Sequence, residues 1–214
     1  MRAALDRRFR GVVRLLHEQL GLSPNQVSLL GLLVGFAAAG AVATGSIAAG
    51  LVLMALAQIV DALDGAMARQ YMLQSARGVQ LETLCDRLSE ALMFAALVVA
   101  GEVHMELALL AMTAILLVTV LEPRSHFDPG FKRFMLYFGW LVQMLFSVRG
   151  FELAMHVIFL ANLTAFAVGT VIVDYRLQKE VDAQDIQRRA LLQKSGVAAP
   201  DEPPTFLSRL ASWF

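Results

Sequence analysis

The sequence predicts an all-α integral membrane protein, a bundle of six transmembrane helices preceded by an amphipathic helix on the membrane surface. Three observations lead there. The chain is 57% hydrophobic and 17% charged, whereas a soluble domain carries roughly 25% charged residues. The charges are clustered at the N-terminus, in 61–90, in 122–133 and beyond Asp174, with long apolar runs between them. Finally, lysine and arginine fall almost wholly on one side of an alternating topology.

The elements follow in chain order. In residues 1–22, Leu5, Phe9, Val12, Val13, Leu16 and Leu20 fall near one helical face, and Arg7, Arg8, Arg10 and Arg14 take most of the rest. This is the pattern of a basic helix lying on an anionic leaflet. Ser23-Pro24-Asn25 breaks the chain before the first span. About 20 apolar residues cross the hydrocarbon core, and the spans read as Gln26–Thr44, Ser46–Arg69, Gly78–Gly101, Met105–Leu121, Phe134–Val148 and Glu152–Val173. The fourth and fifth are short on apolar residues alone. With the N-terminus inside, the inside segments collect Arg2, Arg7, Arg8, Arg10, Arg14, Arg69, Arg77, Arg124, Lys132, Arg133, Arg176 and Lys179, and the outside loops hold only Arg149. Both termini are therefore expected in the cytoplasm, in the cell's inner membrane. Residues 23–176 form the transmembrane domain and 177–214 a polar tail whose first part is expected to extend the last helix.

Net charge is zero, which gives no case for nucleic-acid binding. The single cysteine, Cys85, excludes an intrachain disulfide and reads as a packing residue.

Ionisable residues inside membrane helices are costly and mark function. Asp61 and Asp64 are three apart on the second span, and Gly78, Glu82, Asp86 and Glu90 step by four along the third. Each set shares a helical face, and a short loop joining antiparallel neighbours brings the two stripes together. Carboxylates so crowded repel one another unless a cation or protons intervene. Hard divalent cations, Mg²⁺ or Mn²⁺, suit such oxygen ligands where phosphate is also bound. Small residues beside the acids, Gly65, Ala68 and Gly78, leave room for a ligand. Glu90, one turn further along the stripe, is expected either to support the ligands from behind or to pair with Arg87, ahead of holding the metal itself. A cation-transport pathway is the less favoured reading, because spans four to six offer no matching acids.

Asp61-x2-Asp64-Gly65-x2-Ala68-Arg69, then eight residues, then Gly78-x3-Glu82-x3-Asp86 resembles the signature of the CDP-alcohol phosphotransferase family, D-x2-D-G-x2-A-R-x8-G-x3-D-x3-D. Glu82 stands where the third aspartate belongs; the other fixed positions match. The resemblance implies transfer of a phosphatidyl (phospho-alcohol) group from a CDP-linked donor, most often CDP-diacylglycerol, to the hydroxyl of a small polar or phosphorylated alcohol, with release of CMP, in phospholipid biosynthesis. It implies two divalent ions on Asp61, Asp64, Glu82 and Asp86, with Asp86 as general base, and Asn25, Ser28, Gly65, Arg69, Ser75 and Gly78 around the CDP donor. Arg124, Lys132 and Arg133 are candidates for an acceptor or donor phosphate. A homodimer is expected by resemblance, and Gly31, Gly35 and Ala39 would permit close packing. The alternative is a degenerate relative that binds without turnover, which the departure at Glu82 would favour.

Overall fold

The computed structural model describes residues 9–125 and 130–194, and these are helical apart from short connections. Residues 9–14 are α-helical, and Leu15–Gln19 continue them as one π-helical turn. Six helices follow: α1 (Pro24–Ala43), α2 (Ile47–Gln70), α3 (Ala76–Val99), α4 (Met105–Ser125), α5 (Lys132–Phe146) and α6 (Gly150–Lys194). Four segments are long and apolar enough to cross a membrane: Pro24–Ala43, Ile47–Gln70, Met105–Pro123 and Gly150–Gln187. The expectation of six is thus met by four on length and composition. α3 carries Glu82, Asp86, Arg87 and Glu90 in its middle. α5 has 15 residues, about 22 Å at 1.5 Å per residue, against a hydrocarbon core of about 30 Å.

The helix ends have local causes. Ser23 closes a capping box on α1: its Oγ accepts from the Gln26 N–H, while Gln26 Oε1 accepts from the Ser23 N–H at 2.8 Å. Pro24 at the first helical position lacks the N–H that would otherwise go unpaired. Ser75 caps α3, its Oγ accepting from the Gly78 N–H at 3.0 Å. α6 runs on to Lys194 without a break at the expected end of the last span, as anticipated for the start of the tail; residues 195–214 lie outside the described residues.

α1 lies against both α2 and α3, and α6 lies against α4 and α5. The chain thus forms two three-helix halves, with α3 also meeting α4. α2 and α3 lean on α1 rather than tightly on each other, which leaves a cleft between their acidic faces. The core that joins the halves is apolar: Ala38 and Val42 of α1, Leu97 of α3, Ile115 of α4 and Phe151, Met155 and Ile158 of α6 are essentially inaccessible. A second cluster sits at the other end of α1, where Val13 packs on Val27, Leu63, Ala66 and Met67. It seats the N-terminal helix beside the acids. There Arg14 Nε donates to Glu18 at 2.8 Å and Tyr71 Oη donates to it at 3.0 Å. The Arg14 bond holds the Glu18 carboxyl below its ordinary range. Val12, Leu15 and Leu20 remain exposed on that helix.

The small residues of α1 are used inside the chain. A Cβ on Gly31 would meet Val60 Cγ1 at 3.5 Å and one on Gly35 would meet Ser89 Oγ at 3.0 Å, and Ala39 is buried in the core. They let α2 and α3 approach α1, and are not a free surface for a second copy. A close backbone approach joins α5 to α6: a Cβ on Gly150 would lie 2.0 Å from the Gly139 carbonyl oxygen.

Candidate active site

The cleft between α2 and α3 opens at the end of the bundle where α1 begins and α2 ends. Asp61, Asp64 and Glu82 each offer a carboxylate oxygen, and these oxygens all lie within 4.8 Å of one another. Asp64 is the deepest, at 3% exposure. Its Oδ2 accepts a short hydrogen bond from the Ser28 hydroxyl of α1, and its Oδ1 is buried without a hydrogen-bond partner. A buried oxygen left unpaired costs free energy, and a carboxylate there needs a counter-charge. Three convergent hard oxygens, one of them unpartnered, fit a divalent cation such as Mg²⁺ or Mn²⁺. The sequence expectation for Asp61, Asp64 and Glu82 is thereby compatible with their placement, and the longer Glu82 side chain still reaches the group.

Asp86 is placed differently. It lies outside that set of three, and its Oδ1 accepts a short charged hydrogen bond from Arg133 Nη2 of α5. Arg133 Nη1 is also 3.9 Å from Asp61 Oδ2. The guanidinium therefore spans two carboxylates from two helices. Sequence reasoning grouped Arg133 with Lys132 as a phosphate-binding cation and missed this contact.

A cavity of about 480 Å³ reaches two of these acids, Asp64 and Glu82. Asn25, Ser28, Asp64, Gly65, Arg69, Ser75, Gly78 and Glu82 all line it, so the six residues expected around a donor share one space. Gly78 keeps that space open, since a Cβ there would lie 3.1 Å from Ser75 Oγ and 3.4 Å from Asn25 Oδ1. Gln74 of the α2–α3 connection joins the lining; a loop glutamine carries no periodic signal that would have singled it out.

On the other side of the triad is a narrow cavity of about 30 Å³. Asp61, Asp86, Ser89, Glu90, Lys132 and Arg133 supply its polar wall. Ser89 was not anticipated, although its position three residues after Asp86 puts it on the same helical face. Glu90 pairs with Arg87 at 2.7 Å, as expected, and Cys85 is buried. Lys132, which is 3% exposed, and Arg133 are therefore part of this wall and more than topological charge. The Arg124 side chain and residue His126 lie outside the described residues. His104 and Arg149 gather at the opposite end around Glu152, at 3.2 and 3.1 Å.

Residues 22–171 match the family model described as CDP-alcohol phosphatidyltransferase. The chain belongs to the CDP-alcohol phosphatidyltransferase family. The matched residues include the helices long and apolar enough to cross a membrane and the acids of the cleft. An archaetidylinositol phosphate synthase of Methanothermobacter thermautotrophicus is 31% identical over 122 residues, covering 55% of this chain and 63% of that protein. A bifunctional IPC transferase and DIPP synthase of Rubrobacter xylanophilus is 41% identical over 76 residues, 36% of this chain and 17% of that protein. The chain thus spans less than two thirds of these curated relatives. Among solved structures, the phosphatidylinositol phosphate synthase of Mycobacterium tuberculosis with CDP-DAG bound superimposes with a TM-score of 0.66 at 21% identity, covering 76% of this chain and 92% of that one. The same enzyme in complex with manganese and citrate gives 0.66 and 21%, covering 76% and 87%. At that identity the likeness is one of fold, and it extends the family assignment to the helical architecture.

Proposed function

We propose that this protein transfers a phosphatidyl group from CDP-diacylglycerol to the hydroxyl of a small polar or phosphorylated alcohol and releases CMP, as a step of phospholipid biosynthesis. The observation that carries the proposal is that Asp64 and Glu82 line the 480 Å³ cavity while their oxygens and one of Asp61 lie within 4.8 Å of one another. Asn25, Ser28, Gly65, Arg69, Ser75 and Gly78 hold the CDP part of the donor in that cavity. Asp61, Asp64 and Glu82, with Asp86 as the fourth ligand, hold two Mg²⁺ or Mn²⁺ ions. When bound, the ions neutralise the donor pyrophosphate and the charge on the departing CMP oxygen. Asp86 accepts the acceptor's proton as its oxygen bonds to the phosphatidyl phosphorus and the bond to CMP breaks. Lys132 and Arg133, with Arg124, draw a phosphorylated acceptor to the opposite side of the acids. The named inositol phosphate relatives favour a phosphorylated polyol among the acceptors.

In this reading the six helices are six spans. The short α5 and the charged α3 are sheltered by their neighbours, and the bilayer thins beside α5. Both termini are cytoplasmic in the inner membrane, which agrees with the arginine and lysine distribution. The exposed Val12, Leu15 and Leu20 rest the N-terminal helix on the leaflet. A homodimer, expected from the family, would use surfaces other than the Gly31–Gly35–Ala39 face.

The test is purified protein with Mg²⁺, CDP-diacylglycerol and a panel of inositol phosphate, glycerol phosphate, inositol and serine, read by CMP release and product mass. The natural chain releases CMP with at least one acceptor; Asp86→Asn keeps donor binding and loses turnover. Absence of CMP release with every acceptor would overturn the enzymatic reading, and wild-type turnover by Asp86→Asn would remove it as the base.

A further inference from the structure

Arg133 does more in this site than a phosphate-binding residue requires. Its two terminal nitrogens address Asp86 on α3 and Asp61 on α2, so the positive charge it brings serves two of the acids expected to hold a divalent cation. Asp86, engaged in this contact, is not among the three acids whose oxygens converge, while the buried Asp64 Oδ1 has no hydrogen-bond partner. The cavity behind the guanidinium is also too small for an alcohol phosphate. Its 30 Å³ holds about two waters, whereas small-molecule sites run to about 300 Å³ or more.

Resting on the metal-dependent reading above, we propose that Arg133 is the resident counterion of the acidic site. It neutralises Asp86 and Asp61 while no divalent cation is bound, and it must leave Asp86 before that carboxylate can join the metal ligands. Departure of the guanidinium also enlarges the narrow cavity. Arg133 thus competes directly with the cation for one carboxylate, and its contribution to metal affinity is negative even though it lines the reaction space. Arginine suits the task because its planar fork bridges two carboxylates at once and stays charged at any accessible pH.

The experiment titrates Mn²⁺ into the full-length, EDTA-treated protein in detergent, with bound ion read from loss of the free Mn²⁺ signal in electron paramagnetic resonance. Arg133→Gln is expected to bind Mn²⁺ at least about tenfold more tightly than the natural chain, ~1.4 kcal/mol. Lys132→Gln removes a like charge from the same wall without touching the Asp86 contact, and is expected to change affinity by less than about threefold, ~0.7 kcal/mol. Arg133→Lys keeps the charge and loses the fork, and is expected between the two. Helix content and thermal unfolding without metal identify any variant that has failed to fold; Arg133→Lys then carries the comparison alone. Equal or weaker Mn²⁺ binding by a folded Arg133 variant overturns the proposal. So does an equal gain in Lys132→Gln, which would reduce the effect to the general field of the wall. A natural chain that binds no Mn²⁺ at all would instead overturn the metal-site reading itself, and the counterion proposal with it.

Discussion

Replacing Asp64 by asparagine should strengthen the metal-free protein and abolish its response to metal. In the absence of cations, Asp64 stands within 4.8 Å of the Asp61 and Glu82 oxygens. Two unit charges at that distance repel by about 3.5 kcal/mol at an effective dielectric constant of about 20, and Asp64 takes part in two such pairs. Partial exposure of Glu82 and Asp61 and shared protons screen most of this, leaving a net relief of about 1–3 kcal/mol. Asparagine is nearly isosteric, and its carbonyl oxygen still accepts from Ser28, so packing and the buried hydrogen bond survive. For a chain of this size the relief corresponds to a rise of about 2–6 °C in unfolding temperature. Metal reverses the order: a ligand at a hundred times its dissociation constant stabilises the protein that binds it by about 2.7 kcal/mol. The assay is thermal unfolding in detergent, in EDTA and then in Mg²⁺ or Mn²⁺, for both proteins. Asp64→Asn should melt higher in EDTA and stay there, while the natural chain overtakes it or draws level as metal is added. A natural chain indifferent to metal, or a variant that responds equally, would refute the reasoning.

Two further outcomes follow from glycines. Gly78→Val should raise the KM for a CDP-linked donor by about tenfold or more, ~1.4 kcal/mol, because its Cβ would press on Ser75 Oγ and Asn25 Oδ1 and its methyls would enter the large cavity; an unchanged KM would show that the donor lies elsewhere. Gly150→Ala should cost about 2–3 kcal/mol, since the new methyl would lie 2.0 Å from the Gly139 carbonyl oxygen, whereas Gly40→Ala, with nothing within 4 Å, should not destabilise; equal melting temperatures for the two variants would contradict the close approach of α5 and α6.

Much of this was legible in the sequence because the relevant signals are periodic. The first five apolar runs mark their helices to within about four residues, the sixth marks the start of α6 but not its end at Lys194, and spacings of three and four bring Asp61, Asp64 and Glu82 to a common cleft. The Pro24 boundary is local chemistry and was read from Ser23-Pro24-Asn25, whereas the capping of α3 by Ser75 was not read, the third span being started at Gly78. What escaped depends on contacts between distant segments. The pairing of Arg133 with Asp86 joins residues 47 apart in sequence, and nothing in either neighbourhood announces it. Gly31, Gly35 and Ala39 present a small-residue stripe that serves equally for packing within a chain or between chains, and only the position of α2 and α3 decides. The brevity of the fifth helix was legible: the run Phe134–Val148 is short on apolar residues, and α5 has 15 residues and ends at Phe146, where Ser147 takes a left-handed conformation, φ 53°.

The two-half construction divides the site along a seam. All four carboxylates, the large cavity and the whole family signature belong to α1–α3, whereas Lys132 and Arg133 arrive from α5 in the other half. Substitutions in α4–α6 can therefore recast the wall facing Asp86 in size, charge or reach while the backbone carrying the acids stays as it is. The acids and the basic wall that faces them are borne by separate pieces of the bundle, which meet here through Arg133, paired with both Asp86 and Asp61. A change at the start of α5 can therefore alter that wall without disturbing the helices that carry the acids.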